Sequence, residues 1–250
     1  MQNIPNNKNC EGTLAPCNYL LGTSAGGALF LNIRKQYHFI EISKLRELLL
    51  VNQNEFYDFS NCPPIAKSYG GAELKECILF QNDAYMIKFP KEVDGNKIIS
   101  HVTEYLGSHI FQLLGINAHD TLLGIYHGQE VIAAKDFVYD CGSCLFPRIK
   151  EEDLLFVTSN EKELDMRTYK FPTSQIKLGD EKSSYYEVIA GKHFEECTKQ
   201  AKWLIDTISF NEIDSLIDGV FIISENRKLF LKKILRHRFQ KIFLDIFDTI

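Results

Sequence analysis

Long hydrophobic runs are missing from this chain. No stretch reaches the roughly 20 apolar positions that a membrane-spanning helix needs. The opening Met1-Gln2-Asn3-Ile4-Pro5-Asn6 has no basic segment leading into an apolar one. The expectation is no membrane partner and a cytoplasmic location, with only a signal-peptide-independent route of secretion left open. An excess of positive charge is also missing. Lys and Arg number 28 against 33 Asp and Glu, a formal charge of −5, so nothing draws the chain as a whole to nucleic acid. Cysteine occurs seven times, an odd count in a chain too long to depend on disulfides, and the simplest reading is free thiols. Cys141 and Cys144 form a C-x-x-C without a second such pair or a nearby His pair, and Cys10 and Cys17 are too widely spaced to complete a zinc site. What is there, 45% hydrophobic and 24% charged residues over 250 positions, describes a globular chain with a substantial core in one or two domains.

The informative stretch runs from Lys67 to Phe137. It opens on a glycine-rich turn, Lys67-Ser68-Tyr69-Gly70-Gly71-Ala72. A strand pattern over Glu76 to Phe80, a polar reversal at Gln81-Asn82-Asp83 and a second strand over Ala84 to Pro90 predict a hairpin. Alternation puts Tyr85, Ile87 and Phe89 on one face of the second strand, with Met86 and Lys88 on the other. A mid-strand lysine beside apolar neighbours has two readings. One is an edge-strand charge that blunts aggregation; the other is an ammonium held for a ligand. Sixteen residues on, Glu104 lies in a segment whose apolar positions 102, 105, 106, 110, 113 and 114 predict an amphipathic helix closed by Gly115. A further hairpin is expected from Thr121 to Tyr126, the turn His127-Gly128-Gln129, and Glu130 to Ala134. His119-Asp120, between the helix end and that hairpin, reads as a turn.

Glycines that let backbone N–H groups approach phosphates, a strand lysine and a helix glutamate, in that order, are the nucleotide-holding parts of a kinase N-lobe. The strings that carry them are Lys67 to Ala72 (KSYGGA), Tyr85 to Pro90 (YMIKFP), Glu104 to Leu114 (EYLGSHIFQLL), Thr121 to Gly124 (TLLG), Val131 to Phe137 (VIAAKDF) and Tyr139 to Phe146 (YDCGSCLF). They resemble the HipA-like serine/threonine kinases, and within them the compact CtkA branch. The resemblance implies an α+β, protein-kinase-like fold with a β-rich N-lobe and a shortened helical C-lobe, divided as 1–55 (an extension of unknown role), 56–137 (N-lobe with hinge) and 138–250 (C-lobe). It implies ATP and Mg²⁺ as cofactors. Gly70, Gly71 and Ala72 would approach the phosphates, Lys88 would contact them, and Glu104 would orient Lys88. Ala134, Lys135, Asp136 and Phe137 would belong to the adenine-binding hinge, and Asp140 would be the metal ligand.

One part of that family pattern is missing. A kinase carries its catalytic loop, with an Asp for the acceptor hydroxyl and an Asn for the second metal ion, on helical sequence between the hinge and the metal-binding Asp. Here only Val138 and Tyr139 separate Phe137 from Asp140. Asp206 and Asn211 have the D-x-x-x-x-N spacing but follow Asp140 in chain order, within what reads as a helical tail. No catalytic residue is assigned. Two functions remain: a HipA/CtkA-like kinase impaired in phosphotransfer, or a pseudokinase-type module that engages a protein partner. A truncated C-lobe would leave apolar surface exposed, so self-association is also expected.

Elsewhere, Leu20 to Ala28 forms a second glycine-rich stretch with no lysine-bearing strand and helix after it, and Ser43 can cap a helix over Lys44 to Val51. Beyond Arg148 the chain reads as largely helical. The candidates are Leu164 to Arg167, Tyr185 to Ala190, Phe194 to Ile208, Asn211 to Ile217 and Asn226 to Ile250. In the last of these, Leu229, Phe230, Ile234, Leu235, Phe239, Ile242, Phe243 and Ile246 at helical spacing are expected to face inward, and Lys232, Lys233, Arg236, Arg238 and Lys241 to form a solvated face.

Overall fold

A computed structural model describes residues 55–66, 75–116, 118–135, 144–170, 175–178, 181–192 and 195–247. The N-terminal extension to residue 54, the turn containing Gly70, Gly71 and Ala72, and Asp136, Phe137 and Asp140 lie outside the described residues.

The first half is built on a five-stranded sheet in the order β1-β6-β7-β3-β2. Its strands are β1 (Phe56–Asp58), β2 (Lys75–Phe80), β3 (Asp83–Lys88), β6 (Thr121–Tyr126) and β7 (Gln129–Lys135). β1 runs parallel to β6, and the other pairings are antiparallel. Both expected hairpins form, each with a two-residue turn one position shorter than the sequence suggests. Gln81 and Asn82 have φ of 51° and 68°, and His127 and Gly128 have 49° and 80°. Positive φ at both positions gives the turn a twist that matches the flanking strands. A third hairpin, β4 (Lys91–Val93) and β5 (Asn96–Ile98), turns at Asp94 and Gly95 in the same way.

The helix predicted around Glu104 is α1 (Ser100–Leu113), and Gly115 with φ +70° ends it in the left-handed region that glycine tolerates best. All but two of its residues are buried, because it lies between the sheet and the C-terminal helices. The two faces of β3 and β7 serve different cores. Tyr85, Ile87, Val131 and Ala133 join Phe59, Ile78 and Tyr126 on the outer face, whereas Ile132 and Leu123 pack with α1 in the larger core.

The second half holds a 3₁₀ turn at Glu151–Asp153, α2 (Leu154–Ser159), α3 (Glu161–Tyr169), a small hairpin of β8 (Gln175–Leu178) and β9 (Glu181–Ser184), α4 (Tyr185–Ala190), α5 (Glu195–Thr207), α6 (Phe210–Gly219) and α7 (Glu225–Arg238). The chain continues from α7 as π-helix over Phe239–Leu244. The β8–β9 hairpin interrupts a region that the sequence marks as largely helical. Two expectations for the last helix are overturned. Leu229 is 52% exposed, and Arg238 is fully buried. The buried stripe is Arg227, Lys228, Phe230, Leu231, Ile234, Leu235 and Arg238, a repeat of three and four residues that leaves Leu229 off the inward face. Arg238 is accommodated because its guanidinium lies 4.8 Å from the Phe146 ring centre and donates to the Arg167 carbonyl at 2.7 Å. Lys232 and Arg236 reach Asp218 and Asp214 on α6, as side chains of a solvated face do.

Candidate nucleotide site

Lys88 is not an edge-strand lysine. β3 lies between β7 and β2, with Lys88 in register with Ile132 on one side and Lys75 on the other. Its side chain points to the face that α1 covers, where its ammonium meets Glu104 Oε1 at 2.6 Å. The residues are 4% and 2% exposed. Burying two charges is costly unless they are close and well placed, and a buried pair adds little net stability compared with an apolar pair. Such a pair therefore points to a use beyond packing.

Helix α1 is held in position against the sheet by polar contacts as well as apolar ones. Ser108 Oγ and Thr121 Oγ1, on α1 and β6, are 2.7 Å apart and both buried. The His109 Nδ1 lies 2.9 Å from the Tyr105 carbonyl and 3.3 Å from Thr121 Oγ1. Burial lowers the His109 imidazole to about 4, against the opposing pull of the Tyr105 carbonyl. His101, at the helix start, is likewise lowered to about 4, first by burial and then by Lys97, with Glu130 acting in the other direction.

The expected hinge strand is described only to Lys135. Ala134 is 2% exposed and sits in β7, in register with Met86 on β3 and Thr121 on β6. Lys135 donates its N–H to the Asp120 carbonyl at 2.9 Å. Its side chain leaves the site: the ammonium bonds Asp83 Oδ2 at 2.6 Å, and that bond raises its pKa. Cys144, on the far side of the stretch that contains Asp140, returns to the same helix. Its thiol is fully buried and lies 3.1 Å from the Thr103 carbonyl, one residue from Glu104. Leu145 and Phe146 follow with φ of 56° and 55°, a left-handed backbone that non-glycine residues adopt only when their surroundings impose it.

The structure thus brings Lys88 and Glu104 together and places Ala134 on β7, the strand next to that of Lys88. It adds a residue that the sequence alone marks as a plain turn. His119 is 3% exposed, and its Nε2 lies 3.5 Å from Glu104 Oε1. No periodic signal marks it, since it falls between a helix and a strand. Asp206 and Asn211 lie on successive helices, α5 and α6, and both are exposed. The described residues bring one cation and one carboxylate together as a buried pair. Among them there is no group of three or more His, Cys, Asp or Glu that could hold a metal ion; Cys62, Cys77 and Cys144 form no disulfide. No described helix is long and apolar enough to cross a membrane.

No family model matches the chain. It is 26% identical to the serine/threonine-protein kinase CtkA of Helicobacter pylori, over 73% of this chain and 84% of that protein. The alignment extends over 275 positions, whereas 73% of 250 residues is about 183, so about 90 positions of the relative face no residue here. The crystal structure of a Helicobacter pylori proinflammatory kinase, CtkA, superposes with a TM-score of 0.70 and 24% identity, over 77% of this chain and 96% of that one. Together with the buried lysine–glutamate pair between sheet and helix, this likeness gives the chain the α+β kinase fold of CtkA and a sequence that resembles that kinase over most of its length.

Proposed function

We propose that the chain binds ATP at the Lys88–Glu104 pair and is impaired in transferring the γ-phosphoryl group. The observation that carries this reading is the 2.6 Å contact between two buried charges in the sheet-to-helix arrangement of a kinase N-lobe. In it, Lys88 neutralises phosphate charge and Glu104 orients Lys88. Gly70, Gly71 and Ala72 approach the phosphates, and residues 134–137 hold adenine. Asp140 would hold Mg²⁺, in a stretch whose flanks, Lys135 and Cys144, are anchored to Asp120 and Thr103. Bound Mg²⁺ would offset phosphate charge; the side chains of Lys88 and Glu104 neutralise and orient. Domain limits at residues 55 and 137 and a cytoplasmic location belong to the same reading.

The impairment rests on sequence length. A chain that passes from Phe137 to Asp140 in three steps, with about 90 positions of its relative unmatched, has no room there for an Asp and an Asn on helical sequence. A regulatory, partner-binding module is the second reading. It is favoured by large apolar side chains exposed in the helical half: Leu155 at 56%, Phe156 at 60% and Phe221 at 62%. The same side chains support self-association.

Isothermal titration with ATP and Mg²⁺, beside Lys88→Ala, tests the proposal. The expected result is saturable binding that falls at least about 100-fold in the variant, the scale of a lost charge-assisted contact to phosphate. A folded wild-type chain that binds no ATP would remove the nucleotide and leave the partner-binding reading. Sustained phosphorylation of a Ser or Thr substrate, lost in Lys88→Ala, would overturn the impairment.

A further inference from the structure

Glu104 has a second basic neighbour. His119 Nε2 approaches the same oxygen, Oε1, that receives Lys88, and the imidazole is fully enclosed. The loop that carries it is pinned on both sides. Gln112 Nε2 of α1 lies 3.3 Å from the Ala118 carbonyl, 3.4 Å from the His119 carbonyl and 3.3 Å from Asp120 Oδ1. On the other side, the Asp120 carbonyl accepts the Lys135 N–H at the end of β7. Three consecutive residues therefore touch the helix bearing Glu104, the carboxylate itself and the strand that leads to the hinge.

We propose that His119 is a positioning residue for the Lys88–Glu104 pair, a role that rests on the nucleotide-binding reading. A glutamate side chain has three rotatable bonds, and one ammonium at the end of a flexible lysine does not fix its carboxylate. In this role an N–H on Nε2, which lies 3.5 Å from Oε1, turns toward that oxygen and restricts the carboxylate to the rotamer that faces Lys88, so that Lys88 keeps its place when phosphate oxygens approach it. Outer groups of this kind fix the orientation of groups that touch a ligand directly. Because the same loop closes on Lys135, the distance between the ion pair and the hinge strand is set by one short segment.

Two measurements test this. In the nucleotide-free protein, the imidazole ¹⁵N resonances of His119, assigned by their loss in His119→Gln, should move in Glu104→Gln while the amide spectrum keeps its dispersion. Unmoved resonances in a folded variant overturn the proposal. In ATP titrations, His119→Leu should weaken binding about tenfold, and His119→Gln, which retains an N–H donor, should recover most of that loss. Equal loss in both variants would mean that the site needs only the shape of a histidine, and no loss in either would mean that it needs nothing from His119; each result overturns the positioning role. If the wild-type chain binds no ATP, the nucleotide reading fails by itself, and the resonances of the nucleotide-free protein still decide whether His119 holds Glu104.

Discussion

The sheet-bearing half and the helical half of this molecule both bury cations, and they do so for different ends. In the first half both members of the pair are enclosed: the Lys88 side chain is 5% exposed and that of Glu104 is 3%. In the second half only the cation is enclosed. Arg227 is 2% exposed and is held by Glu151, which is 53% exposed, with a further bond to the Ile149 carbonyl. The Arg227 clamp ties the 3₁₀ turn before α2 to the start of α7 and leaves its carboxylate in water, which keeps the desolvation cost low. The Lys88 pair accepts the cost on both sides. Under the proposed function, a charge kept dry at both ends suits a third charged group, whereas the Arg227 charge with one end in solvent ties two elements together.

That contrast can be broken by removing partners. Glu104→Ala leaves the Lys88 ammonium buried without its carboxylate and is expected to destabilise the chain by about 3–5 kcal/mol. Chemical denaturation measures this, and Lys88→Met with Glu104→Leu should recover most of the loss because two apolar groups need no pairing. A loss below about 1 kcal/mol in Glu104→Ala would show that the pair is wetter than its burial indicates.

Acid sharpens the comparison through α1. His101 has a folded-state value of about 4 against an ordinary 6.5. Between these limits the unfolded chain binds more protons than the folded one, so stability rises with pH across the window. The contribution is complete above about pH 6.5 and is lost as pH falls toward 4. For His101 it amounts to at most about 3 kcal/mol, and His109 acts in the same direction. Denaturation midpoints measured from pH 7 to 4 should fall less steeply in His101→Leu than in the wild-type chain.

The smallest effect is expected on the helical surface. Arg236 makes two bonds to Asp214, at 2.7 and 2.6 Å, but its side chain is 43% exposed. Arg236→Ala should cost less than about 1 kcal/mol. A larger loss would mean that α6 and α7 depend on charge pairing, as the Lys88 region does.

Much of the site is legible in the amino-acid sequence. Alternation over 84–90, the helical spacing of 102 to 114 and a glycine at 115 locate Lys88 on a strand and Glu104 on a helix, because these signals depend on residues a few positions apart. The β4–β5 hairpin escapes such a reading although Asp94-Gly95 carries its turn signal, since strands of three residues show little alternation. The four-residue strands β8 and β9 escape it for the same reason. His119 has no signal at all: its significance comes from the fold of α1 and β6 around it. Arg238 and Leu229 fall on the wrong sides of the last helix when residue type alone decides burial, because the rotation of α7 decides it instead.

The sequence by itself determined the strand, turn and helix order of the Lys88 region and its likeness to a kinase family, because local periodicity and short strings encode both. Tertiary structure alone decided that β3 is flanked on both sides, which buries Lys88. It alone brought a residue 16 positions later to 2.6 Å and a third, His119, to 3.5 Å. Those outcomes depend on which strands pair and how α1 sits across them, and these are set by contacts between residues far apart in the chain.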